Sequence, residues 1–467
     1  MRAGTPAPGS AGLRHAGRSS SGAGIIADTP PVCDDPGGAG GGAGRAACGA
    51  RARAPDTFPG ASSGTTVTSN SGSSRISAAA RAALGALVAL AVFATGAPAR
   101  AVAAGQVAAY YDGGMPVADI PARMLNDIIY AFEEPAAGGT CAPLGVAQDR
   151  TVRALRALRR AHPGLQVLVS IGGWDQAPGY SDIALTPASR ARFARSCVQL
   201  LIGRDDFDGI DLDWEFPVHG GMNRSRPQDR ADATALVREL RRRLDALGRR
   251  THRHYLLTVA TPAGTWQEGG PYSVADSYDL SALVPYVDWF NVMTYDMNTV
   301  FSPDSGFNTP LRADPRDPQP EPQRSRDNLA GAVRFYEAHG VPADKMLLGM
   351  AFYGRGFTGV GAAGAGLYSK FTGIYPETPW RSVESRLLCN PRWVRHWSTT
   401  AQAPWLYNAR RRIFFTYDDP QSLAIKAAFV RREHLRGVMI WVLGEDDPRN
   451  SLLRALVWGL HAGHPAP

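Results

Sequence analysis

Cysteine is scarce in this chain of 467 residues. Beyond residue 104 only Cys141, Cys197 and Cys389 remain. An odd number leaves at least one thiol outside any internal bridge, and a Cys141–Cys197 pair is compatible with the sequence without being selected by it. Lysine is absent from the first 104 residues, which hold nine Arg against four Asp, so five of the formal +8 charges lie there. The remainder is close to neutral, with 41 basic against 38 acidic residues, and gives no argument for a nucleic-acid partner. No apolar run reaches the roughly 20 residues that a membrane-spanning helix needs. No Gly-x-Gly-x-x-Gly turn follows an early strand, which removes the main signal for a doubly wound dinucleotide domain. No internal repeat is evident.

What is present begins with a low-complexity segment. Residues 1–74 are rich in Gly, Ala, Ser, Pro and Arg, with few large apolar side chains and no helical or strand period. Such a segment cannot bury enough surface to offset its ordering entropy and is expected to be disordered. Residues 75–104 read as a secretory signal peptide. Arg75 and Arg81 flank an uncharged, mostly apolar run at 82–97. Small-x-small triplets follow, such as Ala97-Pro98-Ala99 and Ala101-Val102-Ala103. The expected product is secreted and extracellular, starts between Arg100 and Gln106, and keeps no stable membrane anchor. A leader normally opens a chain, so translation is expected to begin downstream of Met1, near Val67.

From Gln106 onward, short apolar runs alternate with amphipathic stretches. Strands are expected at 106–111, 127–132, 166–171, 209–215, 255–261, 289–295, 345–353 and 437–443. Between them, "DRTVRALRALRRAH" and "DATALVRELRRRLDAL" place apolar residues three and four apart, as a helix requires. Thr186 before Pro187 and Asp419 before Pro420 are helix-start signals. Eight strands, each followed by a helix, point to an α/β fold, a (β/α)₈ barrel over residues 105–462. The interval 357–416 is too long for a loop and carries Tyr368, Trp380, Trp393 and Trp405, enough apolar mass for a small α+β insertion between strand seven and helix seven. No Pro/Thr-rich linker or second binding module is expected after the last helix.

The segment "DGIDLDWEFP" (208–217) carries the chemistry. Side chains alternate faces along a strand, so Asp211, Asp213 and Glu215 share one face, while Leu212 and Trp214 point the other way. In a (β/α)₈ barrel, inward residues rise toward the C-terminal rim, where active sites form. Like charges this close cannot all ionise freely, so their pKa values must separate. A carboxyl kept protonated near neutral pH is what a general acid needs. No His partner or calcium-loop spacing accompanies the three carboxyls, so neither a metal nor another cofactor is expected.

This segment resembles the Asp-Gly-x-Asp-x-Asp-x-Glu signature of glycoside hydrolase family 18, the chitinases, met here by Asp208 to Glu215. Further motifs recur in family order: "SIGG" (170–173), "MTYD" (293–296), "YGR" (353–355) and Trp441 on the eighth strand. The resemblance implies that Glu215 is the general acid, with Asp211 and Asp213 sharing a proton below it. It further implies that Asp213 holds the substrate's acetamido N–H and that Tyr295 bonds the acetamido oxygen. Met293 would line the same pocket, Asp296 would contact the sugar, and Trp441 would be the floor beneath it. Tyr110, Phe132 and Arg355 match further pocket residues, and Trp174 and Phe301 match aromatic platforms on the leaving-group side. The implied partner is chitin or N-acetylglucosamine oligosaccharides, bound by a monomer and cut internally. Two alternatives stay open: an endo-β-N-acetylglucosaminidase acting on glycoprotein glycans, and a sugar-binding lectin on the same barrel. Retention of Glu215 argues against the lectin.

Overall fold

The computed structural model describes residues 105–174, 179–219, 224–264 and 274–461. The low-complexity segment, the signal peptide and the expected mature start before Gly105 lie outside the described residues. Eight parallel strands close into a barrel. They are β1 Gln106–Tyr111, β2 Asp127–Glu133, β3 Gln166–Gly172, β4 Gly209–Asp213, β5 Leu256–Pro262, β6 Trp289–Met293, β7 Met346–Ala351 and β8 Gly437–Trp441. Each strand pairs with its neighbours in sequence order, and β8 pairs back onto β1. That closure begins at Gln106 opposite Gly437, where a Cβ on Gly437 would lie 1.9 Å from the Gln106 carbonyl oxygen. Only glycine permits that approach.

The strands read as nearly unbroken apolar runs because both faces are covered. Ala108, Tyr110, Ile129, Leu168, Trp289, Leu347 and Met439 fill the barrel interior. Val107, Ile128, Val169, Ile210, Leu257 and Val438 face the helices. The main helices are α1 Val146–Ala161, α2 Pro187–Cys197, α3 Asp229–Thr251, α4 Leu329–Ala338, α5 Pro420–Arg432 and α6 Ser451–His461. Both expected caps form: the Thr186 and Asp419 side chains accept the backbone N–H groups of Ser189 and Ser422. Not every strand is followed by a full helix. Between β1 and β2 the chain makes only two 3₁₀ turns, and between β5 and β6 the described α-helix is the four-residue Leu280–Leu283. A disulfide joins Cys141 to Cys197 at the end of α2, with Cα atoms 4.9 Å apart, and Cys389 keeps its thiol at the surface.

Four expected strands stop short at the rim, among them β8, which ends at Trp441 rather than Leu443. β4 ends at Asp213 rather than Glu215, β6 at Met293 rather than Tyr295, and β7 at Ala351 rather than Tyr353. At β7 the reason is a joint: the Phe352 N–H donates to the Trp441 carbonyl, and the Phe352 carbonyl accepts from Trp380 N–H. Tyr353 then begins a separate five-stranded antiparallel sheet, ordered Gly373–Pro379, Tyr353–Thr358, Ile413–Thr416, Ala403–Asn408 and Val394–Ser398. The inserted sheet therefore starts four residues before position 357.

Where the insertion returns to the barrel, Lys426 of α5 is fully buried. Its Nζ lies 2.5 Å from Asp418 Oδ1 and 2.8 Å from Thr309 Oγ1. Thr309 and Ser422 hydroxyls also donate to the Asp418 carboxylate, at 2.7 and 2.6 Å. Burial pushes the Lys426 ammonium below its ordinary range, and Asp418 opposes that shift. Removing one partner of such a pair strands the other charge in the core. Lys426→Met should therefore lower the unfolding free energy by about 3–5 kcal/mol, read from denaturant titration. A loss below about 1 kcal/mol, as for an exposed pair, would contradict this account.

Candidate active site at the upper rim of the barrel

Asp211 is the deepest of the three carboxyls and is completely buried. Four protein donors surround it. Tyr110 Oη and Ser170 Oγ donate to Oδ2 at 2.8 and 2.7 Å, while Thr258 Oγ1 and Asn291 Nδ2 donate to Oδ1 at 2.5 and 3.0 Å. The Asn291 amide is itself oriented, since Trp289 Nε1 donates to its Oδ1 at 3.0 Å. Burial raises the Asp211 pKa from the ordinary aspartate value, and the four donors pull against that rise. Each Asp211 oxygen thus accepts two hydrogen bonds from these side chains.

Asp213 lies above it, also buried, and among the described residues its Oδ1 has no hydrogen-bond partner. Burial, then the charges of Glu215 and Asp211, push its carboxyl well above the ordinary value. The two glycines of "SIGG" explain how it is held. Both have φ in the left-handed region, at 115° and 100°. A Cβ on Gly172 would fall 2.1 Å from the Asp213 carbonyl oxygen, and the Gly173 N–H donates to that oxygen at 2.9 Å. Glu215 then stands half-buried, two residues beyond the strand.

The aromatic residues gather as the motifs implied. Tyr295 is buried in the interior cluster with Tyr110, and the half-buried Phe132, Met293 and Trp441 pack against it. The Trp441 ring stacks on Phe132 at 5.8 Å and lies 5.4 Å from Tyr110. Tyr295 Oη lies 3.9 Å from Met439 Sδ, and burial followed by the charges of Asp213 and Glu215 raises its pKa well above the ordinary tyrosine value. A Cβ on Gly349 would meet the Tyr295 ring at 2.7 Å, so β7 needs glycine at that position.

Asp296 has φ 59°, and its backbone N–H donates to Asn308 Oδ1. Its carboxylate is engaged by Arg355 through two bonds, at 2.6 and 2.8 Å, and by Tyr353 Oη at 2.6 Å. Arg355 also reaches Glu377 of the inserted sheet at 3.1 Å. Trp174 is half-buried, edge-on to Phe216 at 6.5 Å. Phe301 stands 52% exposed on the loop after β6, and among the described residues no ring contact joins it to the other site residues.

Several contributors carried no advance signal of their own. Asn291 is the single polar position of its strand, and Thr258 shares a mostly apolar strand with Thr261 alone, a pattern that could have marked inward-facing donors. Asp208, first in the acidic motif, serves the opposite end of β4, where it accepts from Arg159, Arg253 and the Val167 N–H. Glu445 follows Trp441 by four residues. Burial, then Glu377 and Asp112, push its carboxyl up to about 8.

Residues 106–446 match the family described as glycosyl hydrolases family 18. The chain belongs to that family. It is 36% identical over 313 residues to Chitinase A1 of Niallia circulans, covering 65% of this chain but only 43% of that protein. It is 28% identical over 400 residues to Chitinase B of Serratia marcescens, covering 73% and 78%. A family 18 N-acetylglucosaminidase from Paenibacillus barengoltzii superposes with a TM-score of 0.67 at 30% identity, covering 76% of this chain and 99% of its own. The family 18 domain thus spans under half the length of the first relative and most of the other two.

The raised pKa of Asp213 makes it a stability liability with a defined sign. The folded state holds this proton more tightly than the unfolded chain, whose aspartates titrate near 3.9. Stability is therefore retained below about pH 4 and lost as pH rises toward the folded value, by up to about 1.4 kcal/mol per pH unit. Asn does not titrate. Asp213→Asn should melt progressively higher than the parent as pH rises from 4 to 8, and a melting difference independent of pH would contradict this.

Proposed function

We propose that this protein is a secreted chitinase that hydrolyses β-1,4 bonds between N-acetylglucosamine units with retention of configuration. The observation that carries the reading is the arrangement around Asp213. It is a buried carboxyl with one oxygen unpartnered among the described residues, placed between Asp211 and Glu215 in the interior that also holds Tyr295. Glycosidases with two catalytic carboxylates use one as acid and one as nucleophile, whereas family 18 enzymes use the substrate's own acetamido group instead. In this reading Glu215 protonates the glycosidic oxygen. The acetamido oxygen attacks the anomeric carbon, and the bond to the leaving sugar breaks. Asp213 accepts the acetamido N–H and stabilises the positive charge of the resulting oxazolinium ion. Tyr295 orients the attacking oxygen, and holding it in line supplies the effective concentration that free water lacks. Glu215, now a carboxylate, takes a proton from the incoming water, which opens the ring from its own side. Two inversions give net retention.

Trp441, stacked with Phe132, offers an apolar floor for the sugar face. The long inserted subdomain between strand seven and helix seven favours a groove for a linear polymer over a branched glycoprotein glycan. Secretion rests on the signal-like segment 75–104, and a monomer that cuts internally is the accompanying expectation.

Two measurements test this reading. Glu215→Gln keeps the shape and removes the proton donor, so turnover of chitin oligomers should fall by about 10²- to 10⁴-fold while oligosaccharide binding persists. Parent-level turnover would remove Glu215 from its role. Early-time proton NMR of oligomer cleavage should show the β-anomer first, and fully deacetylated oligomers should not be cut. Initial α-product, or equal activity on deacetylated chains, would overturn the substrate-assisted route.

A further inference from the structure

Glu215 is not on a strand, and something other than the β-ladder must hold it. The β3–β4 pairing ends with Gly172 opposite Asp213, and the β4–β5 pairing ends with Leu212 opposite Val259. From there the chain turns through Trp214, Glu215 and Phe216 at the rim. The Gly173 N–H secures the Asp213 carbonyl at 2.9 Å. The next carbonyl, that of Trp214, accepts a hydrogen bond from Tyr278 Oη at 2.8 Å. Tyr278 is 64 residues further along the chain, buried to 3% exposure. It immediately precedes Asp279, whose side chain caps the short helix Leu280–Leu283 by accepting the Ala282 N–H. The donor is thus placed by a fixed piece of backbone.

The Trp214 ring has only apolar support. Tyr180 stacks on it at 5.4 Å with an interplanar angle of 12°, and the buried Trp214 Nε1 has no hydrogen-bond partner among the described residues. Stacking and core packing confine the indole, but neither is a directional hold on the Trp214 carbonyl. The directional polar restraint on Trp214 is the Tyr278 hydroxyl on its carbonyl. That carbonyl belongs to the peptide unit leading directly into Glu215. A rotation of this unit would swing the Glu215 carboxyl along the cleft, and proton transfer is sensitive to donor–acceptor geometry at the scale of a hydrogen bond.

We infer that Tyr278 is a positioning residue for the acid, fixing through the Trp214 carbonyl the backbone turn from which Glu215 projects. This rests on the reading of Glu215 as general acid. Tyr278 touches no substrate and donates no proton in the reaction. Its removal should therefore be felt most where protonation of the leaving group matters most.

The test compares two substrates through kcat/KM, which reports steps up to leaving-group departure. A chitin oligomer leaves as a sugar alkoxide and needs the acid. The 4-nitrophenyl glycoside of di-N-acetylchitobiose leaves as a stabilised phenolate and needs it little. Tyr278→Phe removes one oxygen and keeps the ring. It should lower kcat/KM on the oligomer by about 10-fold, a fraction of the full effect of general acid catalysis, and on the aryl glycoside by less than about threefold. The oligomer loss should appear in kcat, with KM little changed.

Tyr336→Phe is the matched control. It also loses a buried hydroxyl that donates to a carbonyl, that of Pro262 at 2.7 Å, but away from the acid's turn. It should lower the melting temperature comparably and leave the ratio between the two substrates at the parent value. Equal losses on both substrates for Tyr278→Phe, or no loss on either, would overturn the inference. Failure of the underlying reading has a different signature: Glu215→Gln would then retain turnover whatever Tyr278→Phe does.

Discussion

The Asp211 carboxylate is the constraint around which the barrel interior is organised. A carboxylate withdrawn from water costs several kcal/mol unless its lone pairs are satisfied. Here the satisfaction comes from Tyr110 on β1, Ser170 on β3, Thr258 on β5 and Asn291 on β6. One charge on β4 therefore binds four other strands to a common point. A change in register of any of them would remove a donor from a buried acceptor. The same satisfaction explains why chemistry is left to the residues above. Asp211 has no acceptor capacity to spare, yet its negative charge reaches Asp213, which has an oxygen without a partner among the described residues and is pressed from the other side by Glu215.

The legible part of this structure was the part governed by repetition. Eight apolar runs alternating with helical periods led to the barrel, and the closed parallel order follows that expectation. Alternation of side chains placed Asp211 and Asp213 on the inner face of β4. It was a poorer guide to Glu215 and Tyr295, because both lie past the last ladder pairing, where backbone position is set by tertiary contacts rather than by period. Thr258 and Asn291 are marked only as isolated polar residues in mostly apolar strands, which points to an inward face but not to the partner they serve. The small amount of helix described after β1 and β5 was hidden for a related reason: the sheet dictates where a strand must return, not how the chain travels back.

Asp296 links the two structural parts of the family 18 domain. Its backbone is held by Asn308 in the loop after β6, and its carboxylate is held by Tyr353 and Arg355 at the start of the inserted sheet. Asn308 in turn takes its own N–H to Thr416 Oγ1, on the strand that pairs with Arg355. Loop, insertion and barrel rim thus share a single polar network, and the residues at this wall cannot shift independently of the inserted sheet.

The Lys426–Asp418 pair sets limits on how this domain can be recombined with others. By strand boundaries, the insertion looks like a cassette that could be lifted out between Ala351 and Pro420. Chemically its boundary lies elsewhere, because the ammonium belongs to a barrel helix, its counter-ion to the returning strand's tail, and the bridging hydroxyl of Thr309 to a different loop. A chimera cut at the strand ends would carry a buried cation without its anion. The exchangeable unit is larger and discontinuous in sequence: the inserted sheet, the segment around Thr309 and the first turns of α5 must travel together.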